Sequence, residues 1–131
     1  MVCVDIATPC FFTKIWSDDF VRSIKPTDWE LIRQYKVGLY YVIAHFTATA
    51  TYMSDKFLTS HTPVTLIRAG TIQPMIKEAE KAKWLTCSQF FGTMPNHRYI
   101  VAKDADHRVW EKIPQLVIEE VVNLYQQVGR K

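Results

Sequence analysis

The sequence predicts a mainly α chain: a helical bundle built around one long helix at about 28–58, with a small β-hairpin near 98–112. Three observations carry that expectation. Residues 37–54, 18 in a row, contain no charged side chain, although 22% of the chain is charged. Thr27 and Glu30 stand at the spacing of a capping box, the reciprocal hydrogen bonding that opens a helix. Val117, Val121, Leu124 and Val128 recur at helical spacing near the end.

At 131 residues the chain is read as one domain, large enough to bury a core without staples. Its composition is globular: 48% apolar, with only 4 Gly and 6 Pro, too few for a long flexible linker. A net charge of +3 permits an anionic partner without requiring one.

The elements follow in order. Residues 1–16 are apolar, and with Phe11, Phe12 and Trp16 they read as an ordered N-terminal arm. Ser17, Asp18 and Asp19 suit a helix start, and Pro26 keeps that helix short. The long helix then opens with Thr27 as N-cap and Asp28 in its first turn. It meets no proline before Pro63, so it extends about 45 Å at 1.5 Å per residue. A strand competes for part of it, because Thr47, Thr49 and Thr51 alternate with Ala48 and Ala50. The length of the uncharged stretch and its lack of turn residues favour helix.

Thr62 and Pro63 predict a further short helix closed by Gly70, and Pro74 one running to Phe91 and closed by Gly92. Residues 98–102 and 108–110, flanking Lys103, Asp104 and Asp106, read as the hairpin. Pro114 opens the last helix. Gly129 caps it, and Arg130 and Lys131 sit at the negative end of its dipole.

The uncharged stretch has the length of a minimal membrane span, with Tyr40, Tyr41, Tyr52 and Phe57 near its ends. His45 in its middle and its threonines disfavour lipid and favour protein surroundings. Small residues four apart, Ala44 with Ala48 and Thr47 with Thr51, allow close helix approach. Tyr41, Ala44, His45, Ala48, Thr51 and Tyr52 are therefore the candidate assembly residues. Seventeen aromatic residues (4 Trp, 6 Tyr, 7 Phe) are many for so small a core, and aromatics are enriched in protein–protein interfaces.

The second candidate surface pairs cations with aromatics: Arg98, Tyr99, Arg108, Trp110 and Lys112. In a hairpin, alternate residues share a face, and such a surface suits phosphate contact with base stacking. Asp104, Asp106 and His107 form the densest ionisable cluster, which a solvated turn also explains. No phosphate loop, nucleophile elbow or metal-ligand pair accompanies it. Cys3, Cys10 and Cys87, like His97 and His107, lack zinc-site spacing, so no catalytic residue, metal or cofactor is expected.

Three sparse cysteines point to a reducing, intracellular compartment, and the N-terminus does not read as a signal peptide. The function expected is a non-catalytic structural or assembly subunit that packs against protein subunits, its own copies or others. A nucleic-acid-binding module or coat-type nucleoprotein subunit is the first alternative. A single-span accessory subunit of an organellar membrane complex is the second, and an enzyme is the least favoured class.

Overall fold

The computed structural model describes residues 1–6, 8–55 and 62–129. The chain is mainly helical, with a small parallel sheet. It divides into two compact units, Met1–Thr8 with Leu58–Lys131, and Pro9–Phe57.

The first unit is built on three strands, β1 (Val2–Val4), β2 (Val64–Ala69) and β3 (His97–Ala102), in the order β1-β2-β3 and all parallel. Val2 stands opposite Thr65, and Leu66 opposite Tyr99. β1 replaces the expected arm, and β2 replaces the short helix expected after Pro63. β2 is buried at every position but Arg68. A central parallel strand covered on both faces is an unbroken apolar run, without the alternation that marks a half-exposed strand. Its Val64, Thr65 and Ile67 are β-branched and suit the pleat.

Helices cover both faces. α5 (Lys81–Gly92), entered by a 3₁₀ turn at Glu78–Glu80, packs on the face of Cys3, Val64 and Leu66 through Phe91. The other face, Val2, Val4, Ile67, Ala69 and Ala102, meets α6 (Val109–Lys112) and α7 (Pro114–Val128) through Val109, Ile113, Leu116 and Val117. α7 starts with proline in its first turn, as the sequence indicates. The expected hairpin is absent: residues 97–102 pair in parallel with β2, and 109–112 are helical. Arg130 and Lys131 lie outside the described residues.

The second unit holds α1 (Lys14–Ser23), α2 (Pro26–Tyr35), α3 (Val37–Ala44) and α4 (Phe46–Asp55). Thr13 caps α1, its hydroxyl accepting from Trp16 N at 3.3 Å. Pro26 sits in the first turn of α2, so Thr27 is already helical and the capping box is not used. The long helix is three helices. Lys36 leaves helical geometry at φ −139°, ψ 57°, and His45 at φ −103°, ψ 9°. No proline marks either break; Gly38, the second residue of α3, is the one weak helix former near Lys36. The expected end of the helix, 56–58, lies outside the described residues. Phe11, Phe12, Trp16, Phe20 and Phe46 form this unit's aromatic centre, with Phe12 and Phe46 at 4.6 Å between ring centroids.

Candidate functional site

The second unit places its uncharged segment outside. Within 37–53 only Ile43 and Ala50 are buried. Tyr41 and Val42 are each 59% exposed and Tyr52 66%, with Tyr35, Val37 and Leu39 also exposed. All six candidate assembly residues, Tyr41, Ala44, His45, Ala48, Thr51 and Tyr52, are exposed. The expectation that this segment forms the inner part of the fold is corrected: within the chain it is a surface. The cause is size. A short helix buries one stripe, and this unit's centre is already filled by the Phe and Trp cluster. Among the described residues no helix is long and apolar enough to cross a membrane.

The basic–aromatic set is divided. Arg98 lies near the amino end of β3 and pairs with Glu120 at 3.1 Å. The Tyr99 hydroxyl accepts from Arg68 Nε at 2.8 Å, and its ring side packs against Gly92, where a Cβ would collide with it. Arg108, Trp110 and Lys112 follow the carboxyl end of β3. Arg108 pairs with Glu111 at 3.2 Å and Asp106 at 3.8 Å, and Lys112 ends α6. Four strand residues, 99–102, and the loop after them separate the two arginines, so they do not form one patch.

A polar cluster stands at the carboxyl ends of the strands. Asp5 follows β1 at φ 44°, in the left-handed region that Asp tolerates better than most residues. Its side chain is 2% exposed. Oδ1 accepts from Ala69 N at 3.0 Å, and Oδ2 lies 2.9 Å from His107 Nδ1 and 3.2 Å from Gln73 Nε2. Gln73 Nε2 also donates to the Asp5 carbonyl at 3.1 Å. Gln73 Nε2 also stands 2.9 Å from His107 Nδ1, so the three side chains meet at one point. Trp110 meets the His107 ring edge-on at 5.6 Å. A carboxylate that orients an imidazole is also a component of acid–base sites. Here it pins three loops together: every Asp5 oxygen is engaged, and among the described residues no metal-binding group of three His, Cys, Asp or Glu exists. Sequence reading noticed His107 but not Asp5 or Gln73. The one local signal was an acid ending an apolar run.

A pocket of about 220 Å³ opens at the opposite, amino end of the sheet, lined by Arg98, Glu120, Asn123 and Gln127 among others. Glu120, 4% exposed, is a lone acid on the sheet-facing side of α7.

Comparison with protein-family models, with curated proteins and with solved structures finds no match. Function therefore rests on the geometry above. The cysteines bear on conditions: Cys10 and Cys87 are disulfide-bonded, and Cys3 is a buried free thiol. A disulfide forms under oxidising conditions, which corrects the reducing compartment read from the cysteine count. Three cysteines argue against a framework of bridges but leave room for one pair.

Proposed function

We propose that this chain is an assembly subunit that packs against a second copy of itself through α3 and α4. One observation carries the reading: Tyr41, Val42 and Tyr52 are more than half exposed in a segment without a charged residue from 37 to 54. Exposed large apolar side chains that gather in one uncharged segment mark a surface for protein contact. Fully burying a side chain of this kind is worth about 1.5–3 kcal/mol, so a few of them offset the cost of association.

The choice of a second copy follows from charge. A two-fold interface sets a surface against itself, and a charged patch would repel its own image. This surface has no charge to repel. Ala44 and Ala48 add small contacts that let backbones approach. The nucleic-acid reading is the weaker one, because Arg98 lies near the amino end of β3 and Arg108 beyond its carboxyl end, so the two offer no continuous basic surface.

Light scattering after size-exclusion chromatography tests it. The chain should elute as a dimer or larger, and Tyr41→Glu with Val42→Glu should convert it to a folded monomer. A wild-type monomer at high concentration would sink the proposal.

A further inference from the structure

We propose that the pocket at the amino end of the sheet binds a small α-amino acid as its zwitterion. The geometry begins with Glu120. Its side chain is 5% exposed, yet Glu120 is among the residues that line an open pocket. Oε1 accepts from Arg98 Nη2 at 3.1 Å, and among the described residues that is the carboxylate's one ion pair. A carboxylate offers about four acceptor positions, and a guanidinium offers five donors. Each partner therefore keeps capacity after making the pair, and buried polar capacity normally finds a partner.

The pair presents a negative and a positive group side by side at 3.1 Å. The ligand that answers it carries the same two charges in reverse order at matching separation. An α-amino acid does so, because its ammonium and carboxylate are attached to one carbon, about 3 Å apart by standard backbone dimensions. Laid head-to-tail on the pair, its ammonium meets Glu120 and its carboxylate meets Arg98, and four charges alternate around a ring. A lone amine or acid satisfies only half of it. A long ω-amino acid holds its charges too far apart.

Size and lining select further. A pocket of about 220 Å³ is below the range that holds drug-sized molecules. A second pocket of about 260 Å³ shares Arg98, Asn123 and Gln127 and adds Gln126. Amide side chains both donate and accept, so this annex suits a neutral polar substituent such as an amide or hydroxyl. Glutamine and serine are the probes of choice.

The test uses calorimetric titration of the intact chain at neutral pH. Glutamine should bind saturably, whereas 6-aminohexanoate, butylamine and butyrate should not. Arg98→Gln should weaken binding at least tenfold; it leaves the buried Glu120 carboxylate without its cation, so its melting temperature should fall, and binding is measured well below it. Glu120→Gln should also weaken it at least tenfold, with circular dichroism verifying that it folds. Absence of saturable heat with glutamine or serine overturns the proposal. So does binding that Arg98→Gln leaves intact, or equal binding of 6-aminohexanoate.

Discussion

Asp5 and His107 are 102 positions apart in sequence and 2.9 Å apart in space, carboxylate oxygen Oδ2 to ring nitrogen Nδ1. The contact ties the end of β1 to the loop after β3, the two edge strands of the sheet. Gln73, from the loop after β2, bonds to the same carboxylate. One buried side chain thus joins all three strand ends.

Removing that side chain should cost more than removing its partner. Asp5→Ala leaves Ala69 N, Gln73 and His107 without their acceptor in a buried place, and Ala tolerates φ 44° poorly. A loss of about 3–5 kcal/mol is expected, the scale for breaking a buried charged network. Asp5→Asn keeps the side-chain length and tolerates the same backbone, so it should lose less. His107→Ala, whose ring is 49% exposed, should lose about 1 kcal/mol. Urea unfolding of the three variants checks the order, and equal losses would contradict it.

Gly70 closes the same region. Its N–H donates to Ala102 O at 2.8 Å and lies 3.0 Å from Ala105 O. A Cβ here would run into the Lys103 carbonyl, which is backbone and cannot rotate away. Gly70→Ala should therefore destabilise by at least about 1–3 kcal/mol, the usual cost of overpacking. At Gly38 a Cβ meets nothing within 4 Å, so Gly38→Ala should be neutral or stabilising through helix propensity. A thermal-melt comparison of the two separates contact from propensity.

What the sequence revealed follows the range of the interactions. α7 was legible because Pro114 and the apolar spacing act within one helix, but Val121 and Val128 of the expected stripe are exposed and the buried residue is Glu120. Most of α5 was legible for the same reason. β2 was misread because its burial comes from both covering layers, and Val64–Ala69 shows no period of its own. β1 has three residues and exists because Val2 pairs with Thr65, 63 positions on. The long helix failed at Lys36, two residues before Gly38, and at His45, and no proline interrupts at either place. Glycine at 70 read as a helix cap, whereas its role is the close approach of Lys103. The assembly residues were named from composition, but their exposure depended on the Phe and Trp cluster filling the unit's centre first. Arg98 and Glu120 meet across 22 positions and two elements, beyond any local pattern.

The cysteines give a direct chemical count. Alkylation in denaturant without reductant should modify one cysteine, Cys3, and alkylation after reduction should modify all three. In the folded chain burial pushes the Cys3 thiol up, only partly offset by the nearby N-terminal ammonium. The thiolate is the reactive form, so native labelling should be slower than denatured labelling by about tenfold or more. Peptide mass mapping reads the sites. Two or more free thiols without reductant would contradict the assignment.

Acid should weaken the second unit through Asp18. Lys14 Nζ donates to Oδ2 at 2.6 Å, and the Thr47 hydroxyl donates to Oδ1 at 2.8 Å, joining α1 to α4. These bonds favour the ionised form and hold the Asp18 carboxyl below its usual range, the Lys14 bond contributing most and the Thr47 bond next. The unfolded chain regains an ordinary Asp value of about 3.9. Between that value and the lower folded one, the unfolded state binds more protons, so stability rises with pH across the window. The Asp18 contribution is complete above the unfolded value and gone below the folded one. Asp18→Asn should therefore be less stable than wild type at neutral pH, and the gap should close as pH falls through the window. Thr47→Val should show the same closing gap, smaller in size. Urea midpoints taken from about pH 6 to about pH 2 measure it. A gap that stays constant with pH would show that the effect of Asp18 is not electrostatic.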